Sequence, residues 1–355
     1  MKKLNFLISV LCTVTALSGA LLYVTVKKAE RNKGTINYVE TKLDSVEDPI
    51  MEKHPVSGET FYSDSVNVLL TCPENWSQIM SERLFSNDLF FKKIDGSTAT
   101  IPITAELVRQ QKRDSEYWGD KLNEYVDHNT THTAYEKLIT KEKDLIFVTP
   151  PSEEEKKLAS KNKVELKLEP VALDGFVFIT HKDNPVDSLT VEQIRDIYSG
   201  KITNWSEVGG NDEKIIPYQR EKNSGSQTAM ESFVMNETEL MNPERGLYVE
   251  FMGPLIEKVA IYENKTCAIG YTYYYYMNNL YKNPRIKMIK INGTAPENDN
   301  LKSGAYPFTV PYYEAIREEE PSDSTASKLF EYMLTDEGQD IVELAGYCSV
   351  RGWQK

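Results

Sequence analysis

The sequence predicts an α/β protein, and three observations support this fold class. Short apolar runs alternate with segments of helical periodicity along most of the chain, which is typical of strands and helices that follow one another. The 355 residues are enough for two or more lobes. The hydrophobic content of 40% and the charged content of 27% are those of a folded globular protein.

Individual elements follow from short stretches of sequence. Residues 144–148 and 175–179 are apolar runs that predict buried strands, and residues 89–91 predict a strand before the loop 95–98. A helix through Leu107 and Val108 follows that loop. Residues 190–193 have the Thr-x-x-Gln form of a capping box, so we predict a helix from there to about Tyr198, with Gly200 just past its end. Residues 327–345 also have helical spacing, with a break at residues 336–338.

The N-terminus has the form of an export segment. Two lysines precede the apolar residues 4–26, which contain no charge and are numerous enough to span a bilayer. Ala20 stands where a lipoprotein signal would have its cysteine, and residues 18–20 are small, as at a cleavage site. We therefore predict that residues 1–33 are a signal peptide or a membrane anchor, without lipid attachment. Residues 34–57 are polar and charged and predict a linker, and the rest of the chain is extracytoplasmic.

The charge and the potential metal ligands exclude several functional classes. The formal net charge of −13 argues against a nucleic acid partner, and it means that any anion must be held by local geometry. His128 and His132 have zinc-like spacing on a helix, but their surroundings read as a loop without a third ligand. We predict no metal and no cofactor. Cys72, Cys267 and Cys348 lack metal spacing, and either a Cys267–Cys348 bridge or buried free thiols fit the sequence.

Three loop-to-helix junctions carry hydroxyl groups. They are residues 95–99, residues 131–136, where Thr133 and Glu136 have capping-box spacing, and residues 218–230, where Ser224 and Gln227 have the same spacing. The start of a helix offers unpaired N–H groups and partial positive charge, which bind anions. Arg220 precedes the third junction and is suited to bidentate contact with an oxyanion. Each junction alone is adequately explained as a helix cap.

A resemblance to a known family gives these junctions a common purpose. Residues 183–190, residues 198–205, the Arg-x-x-x-Ser-Gly-Ser pattern of residues 220–226, residues 268–271 and residues 337–339 resemble motifs of the periplasmic-binding-protein superfamily, specifically the phosphate receptors of ABC-type uptake. The resemblance extends from about residue 95 to residue 350. It implies a type II-like fold with two lobes, two interlobe crossings and a ligand cleft. The expected lobes are residues 58–177 plus 278–355, and residues 178–277.

The resemblance also implies ligand positions. Thr98 and the backbone N–H of Ala99 match the first loop of the family, and Thr131 or Thr133 matches the second, depending on how the loop is aligned. The third loop is matched by Arg220, Ser224, Gly225 and Ser226. The tyrosines of residues 273–276 follow the predicted return strand, where they pack in the sheet or contribute to the cleft wall.

One ligand position departs from the family. Thr149 stands where its phosphate receptors have an aspartate after the strand that follows the second loop. A carboxylate accepts the proton of phosphate and repels a fully ionised anion, whereas a threonine hydroxyl both donates and accepts. The sequence therefore predicts a small oxyanion, with phosphate as the first choice and other anions as alternatives.

The predicted function is capture of this anion for an ABC permease in the membrane, by a monomer and without catalytic residues. Two alternatives remain from the sequence. A cell-surface sensor or adhesin would keep the fold without transport, which fits the missing lipoprotein cysteine and Thr149. A hydrolase would use the same anion site, but the sequence offers no convincing set of nucleophile, base and orienting residue.

Overall fold

The structure, a computed structural model, describes residues 24–32, 35–43, 59–62, 67–70, 77–85, 88–113, 125–242, 247–249, 252–261 and 266–353. The chain divides into two compact units, residues 1–55 and residues 56–355. Within the described residues, no helix is both long enough and apolar enough to cross a membrane. Most of the predicted export segment, residues 1–23, lies outside the described residues, as does Cys72.

The first unit contains an antiparallel hairpin. Strand β1, Val24–Asn32, pairs with strand β2, Thr35–Leu43, from Val24 opposite Leu43 to Asn32 opposite Thr35. The hairpin lies where the sequence predicted the end of the export segment and the start of a linker. Its second strand is rich in β-branched and aromatic residues, which favour extended structure despite the high local charge.

The second unit contains one strand of 16 residues, β7, and shorter strands of at most nine residues. The strands are β3 Glu59–Tyr62, β4 Asn67–Leu70, β5 Ile94–Gly96, β6 Leu145–Val148, β7 Leu166–His181, β8 Ser188–Leu189, β9 Ile216–Pro217, β10 Gln219–Arg220, β11 Tyr248–Val249, β12 Ala268–Tyr273, β13 Ile286–Met288, β14 Lys290–Ile291, β15 Thr309–Arg317 and β16 Cys348–Ser349. The α-helices are α1 Ile101–Lys112, α2 Thr131–Ile139, α3 Glu153–Lys161, α4 Val191–Tyr198, α5 Gly225–Ala229, α6 Met252–Ile261, α7 Asn298–Lys302, α8 Thr325–Met333 and α9 Asp336–Leu344. This alternation confirms the predicted α/β class.

Strand β7 is shared by the two ends of the main sheet, whose order is β5-β6-β15-β7-β12-β9. Its first part, Leu166 to Gly175, pairs with β15, and the adjoining part, from Phe176 to Thr180, pairs with β12. Strands β5 and β6 are parallel neighbours, so their carboxyl ends lie at the same edge of the sheet. The first hydroxyl-bearing junction begins at that edge, at the end of β5, and Thr149 follows β6 there.

Most predicted elements occur, but one strand is misplaced, and the helix break predicted at residues 336–338 lies at residues 334–335, since residues 336–338 begin α9. Strand β6 and helix α4 match their predictions, and Thr190 and Gln193 form the capping box of α4. Residues 89–91 were predicted as a strand but lie in a 3-10 helix, Asp88–Lys93, and the strand is the next three residues. The strand has only three residues and follows the 3-10 helix directly. The apolar residues of that helix were therefore taken for the strand.

A buried aspartate ties three elements together in the middle of β7. The carboxylate of Asp174 accepts hydrogen bonds from the N–H of Gly175 at 2.7 Å, the N–H of Tyr275 at 3.1 Å and the hydroxyl of Tyr312 at 2.9 Å. Burial raises the pKa of Asp174 to about 7, against the opposing effect of these hydrogen bonds.

Cys267 and Cys348 are both buried free thiols and do not form a bridge.

Glu314 on β15 provides a test of the stability of this core. Its side chain is 0% exposed, and neither carboxylate oxygen has a hydrogen-bond partner among the residues that the structure describes. Burial, and then the neighbouring Glu169, raise the pKa of Glu314 well above its ordinary value. The unfolded chain loses this proton near pH 4.3 while the folded chain keeps it, so folding stability falls by up to about 1.4 kcal/mol per pH unit above that value, until the folded-state pKa is passed.

We expect Glu314→Met to raise the free energy of unfolding, and to raise it more at pH 8 than at pH 5. Thermal unfolding of variant and wild type at both pH values measures this difference. The exposed Glu318 on the same segment offers a control, because Glu318→Met should change stability by less than about 0.5 kcal/mol at either pH. A gain that is equal at pH 5 and pH 8 would contradict a protonated Glu314.

Candidate functional site

The three junctions and the end of β6 surround a cavity of about 250 Å³. The predicted ligand residues on its wall are Thr98, Ala99, Thr131, Thr149, Arg220, Ser224, Gly225 and Ser226. The other described residues that line it are Ser97, Thr130, His132, Glu221, Lys222, Asn223, Met252 and Tyr273. Of the residues predicted for the site, only Thr133 is not on the wall of this cavity.

The first junction is fixed to the end of β6 by its backbone. The N–H of Ser97 and the hydroxyl of Thr100 both donate to the carbonyl of Phe147, at 2.9 Å and 2.7 Å. Gly96 makes this approach possible, because a Cβ there would lie 2.8 Å from the same carbonyl oxygen. The loop that follows, with Thr98 and Ala99, therefore has a fixed position beside the cavity.

Asp95 joins the first junction to the second. Its carboxylate accepts hydrogen bonds from the N–H of Gly96 at 2.7 Å, and from the backbone and side-chain nitrogens of Asn129 at 2.9 Å and 2.5 Å. Burial raises the pKa of Asp95, although these hydrogen bonds act in the opposite direction. The residue thereby holds the segment before α2 in place and is not available to a ligand.

The N-cap of helix α2 lies three residues before the predicted N-cap, Thr133. Thr130 is its N-cap, and the Thr130 side chain accepts from the N–H of Thr133. The predicted pairing of Thr133 with Glu136 was therefore wrong, because Thr133 is already inside the first turn. Thr131 is the first helical residue and lies on the cavity wall, so it is the better of the two alternatives.

Thr149 places an unused hydroxyl at the cavity. The residue is 2% exposed, and its Oγ1 is buried without a hydrogen-bond partner in the described structure. The Tyr135 hydroxyl donates to the Thr149 carbonyl at 2.8 Å, which fixes the backbone at this position. A buried hydroxyl that lacks a partner is unfavourable, so this group is suited to contact with a ligand.

Arg220 is held from several sides at the third junction. It is 6% exposed, its Nη1 donates to Ser226 Oγ at 3.0 Å, and its Nε donates to the carbonyl of Val249 at 3.0 Å. Burial lowers the pKa of this arginine, but the ordinary value is so high that the guanidinium keeps its charge. The cavity therefore has a buried positive charge in a chain whose formal net charge is −13.

The cap of α5 differs in detail from its prediction. Ser224 is the N-cap and accepts from the N–H of Gln227, as predicted. The Gln227 side chain does not return to Ser224, since its Oε1 accepts from the N–H of Arg220 at 3.2 Å and from the hydroxyl of Tyr271. Gln227 thus fixes the backbone of Arg220, a positioning role that local spacing did not indicate.

Gly225 brings the third junction against the second one. A Cβ at this position would lie 2.4 Å from Thr149 Oγ1 and 2.6 Å from Thr131 Oγ1. Only a residue without a side chain allows this approach, and its backbone is not in the left-handed region, so the requirement is one of space. The two hydroxyl groups and the start of α5 therefore meet at one side of the cavity.

Tyrosines at the end of β12 and before β16 support the wall of the cavity. Tyr273, the last residue of β12, lines the cavity and donates to the carbonyl of Gly225 at 3.1 Å. Tyr275 stacks on Tyr347 with ring centroids 4.2 Å apart, and the Tyr347 hydroxyl donates to the carbonyl of Ala99. In the tyrosine run, Tyr273 therefore lines the cavity, and Tyr275 packs against the residue that holds the first loop. Sequence spacing left the wall role open and gave no sign of Tyr347.

The two histidines considered as zinc ligands do not converge. His128 is buried beside Thr104, with Nε2 2.6 Å from the threonine Oγ1, and burial lowers its pKa to about 3. His132 lies at the cavity, with Nδ1 3.1 Å from Glu155. Among the described residues, no cluster of histidine, cysteine or acidic side chains is suited to a metal ion.

Known proteins of one family are similar to this chain over most of its length. A family described as PBP superfamily domain matches residues 74–337. The phosphate-binding protein PstS of Borreliella burgdorferi is 25% identical over 266 residues, which are 73% of this chain and 89% of that protein. The PstS of Staphylococcus epidermidis is 28% identical over 267 residues, which are 72% of this chain and 77% of that protein.

Two solved structures are similar in fold. A putative phosphate ABC transporter substrate-binding protein with bound phosphate, from Clostridium perfringens, has a TM-score of 0.56 and 29% identity, over 72% of this chain and 98% of the other. An ABC-type phosphate transport receptor from Vibrio cholerae has a TM-score of 0.53 and 24% identity over the same shares, 72% and 98%. The predicted two-lobed α/β fold is confirmed, and the chain belongs to the periplasmic-binding-protein superfamily.

Proposed function

We propose that this protein is an extracytoplasmic solute-binding protein that captures a small oxyanion, with phosphate as the first choice, for an ABC permease. The observation that carries the proposal is the single cavity in which buried Arg220 meets hydroxyls from three junctions and the end of β6. Relatives named as phosphate-binding proteins, and a similar substrate-binding protein solved with bound phosphate, support this choice of ligand.

The proposed mechanism is capture without chemistry. An anion in the cavity would accept hydrogen bonds from the arginine, from the hydroxyl groups and from backbone N–H groups at the helix starts. The groups belong to different parts of the chain, so the anion would hold the lobes closed, as in hinge-type binding proteins. The relatives are named as binding proteins and receptors, which supports a function without catalysis.

We propose lobes close to those expected from the sequence, with residues 58–177 and the C-terminal part of the chain in one, and residues 178–277 in the other. Strand pairing supports one adjustment. Strand β13 pairs with residues 179–181 of β7, and β14 pairs with β8, so the second lobe extends to about Ile291. The chain then returns to the first lobe, where β15 pairs with the first part of β7.

The N-terminal part supports export in this proposal. Residues 1–33 act as a signal peptide or as a membrane anchor, and no cysteine is placed for lipid attachment. The anion site then faces the outside of the cytoplasmic membrane, where a permease could receive the ligand. We propose that the receptor is a monomer.

Titration calorimetry of the full-length protein with inorganic phosphate tests the function. We expect saturable binding with one phosphate per chain, because the hydroxyls and Arg220 form one site. Acetate, a planar anion with two oxygens that does not match the tetrahedral shape of phosphate, should not compete. A folded protein that shows no saturable phosphate binding up to millimolar concentration would contradict the proposal.

A further inference from the structure

The wall of the cavity consists largely of groups that donate hydrogen bonds. Arg220 can only donate, and the hydroxyls of Thr98, Thr131 and Thr149 can either donate or accept. Thr149 is the informative member, because its Oγ1 is buried and has no partner within the described structure. Gly225 packs directly against this hydroxyl, so the group faces the start of α5, where an anion would lie.

The acidic side chains near the cavity either have other hydrogen-bond partners or are exposed. Asp95 accepts from Gly96 and Asn129, and Glu155 accepts from the N–H of Ser152 at 2.6 Å and contacts His132. Glu154 accepts from the side chain of Asn223 at 2.6 Å. Glu221 lines the cavity but is exposed.

No described carboxylate on the cavity wall is therefore both buried and directed at the ligand. This matters because a carboxylate accepts the proton of a protonated anion and repels an anion that has none. A hydroxyl has no such preference, since it rotates to donate to an ionised oxygen or to accept from a protonated one.

We propose that this site selects its ligand by tetrahedral shape and negative charge, without a requirement for a proton on the ligand, so that it takes sulfate as well as phosphate. The proposal rests on the function proposed above and specifies its ligand class. Thr149 is then the residue that determines this breadth. The remaining contacts, from Arg220 and the helix starts, do not distinguish the two anions.

Calorimetric titration of the full-length protein with inorganic phosphate and inorganic sulfate at pH 7 tests the ligand class. We expect both anions to bind, to compete with each other, and to have dissociation constants within about tenfold. If phosphate binds and the dissociation constant of sulfate is more than about tenfold higher, this proposal is overturned and the proposed function stands. A site that binds neither anion would overturn both.

Two substitutions at one position test the role of Thr149. Thr149→Asp introduces a carboxylate that can only accept hydrogen bonds. We therefore expect it to weaken sulfate binding at least about tenfold more than phosphate binding. Thr149→Val keeps the shape of the side chain without the hydroxyl. We expect it to lower the affinities for phosphate and for sulfate by a similar factor. An unchanged sulfate-to-phosphate ratio in a folded Thr149→Asp protein would show that this residue does not determine the choice.

Discussion

Replacement of Arg220 by glutamine should remove most of the affinity for the anion. The guanidinium is the buried positive charge on the cavity wall, and it is held by Ser226 and by the carbonyl of Val249. Loss of one partner of a buried, hydrogen-bonded charge pair costs roughly 2–5 kcal/mol, which is at least about a 30-fold loss in affinity. Calorimetry of the variant with inorganic phosphate measures the loss directly.

Arg220→Lys refines this expectation. The lysine keeps the charge but presents a single ammonium group in place of the planar fork, so its affinity should lie between those of wild type and Arg220→Gln. Arg195 provides a matched control, because its Nε also donates to a backbone carbonyl, that of Val234, at 2.7 Å. Arg195→Gln should leave phosphate affinity unchanged. An equal loss in both glutamine variants would mean that the effect of Arg220 is structural.

The residues that line the cavity were largely predictable because their signals are local. Hydroxyl residues at helix starts, and an arginine four residues before one of them, are visible in the sequence without knowledge of the fold. The sequence did not decide between Thr131 and Thr133, because that choice depends on which residue caps α2. The structure shows that Thr130 is the cap. A shift of three residues, from Thr133 to Thr130, is typical of helix boundaries predicted from a single sequence.

The contacts that hold these residues in place were less predictable, because the spacing of capping residues does not indicate them. Tyr347 reaches the carbonyl of Ala99, and Gln227 leaves the expected capping box to hold the backbone of Arg220. Tyr347 and Ala99 are 248 residues apart in the sequence, and Gln227 also accepts from Tyr271 on β12. A local pattern carries no information about such pairings, since the residue types involved are equally common in ordinary packing.

Gly225→Ala should weaken anion binding while the protein remains folded. The added Cβ would lie 2.4 Å from Thr149 Oγ1 and 2.6 Å from Thr131 Oγ1, closer than side-chain carbons approach other atoms, so the junctions must move apart. Such overpacking costs roughly 1–3 kcal/mol, which corresponds to about 5- to 150-fold in affinity. Alanine is a better helix former than glycine at the start of α5, so we expect no comparable loss of thermal stability.

The reason for this separation is that the two sides of the contact belong to different lobes in the proposed division. Opening of the cleft relieves the clash without unfolding either lobe, so the penalty falls on the closed, anion-bound state. Gly253→Ala is the matched control, because it also adds a methyl group near the start of a helix, α6, but its nearest neighbour is the Tyr281 ring at 3.0 Å, away from the cavity wall. Phosphate titration and thermal unfolding of both variants separate the two effects. If Gly225→Ala lowered thermal stability and left phosphate affinity intact, the close approach of Gly225 would serve folding and not the capture of the anion.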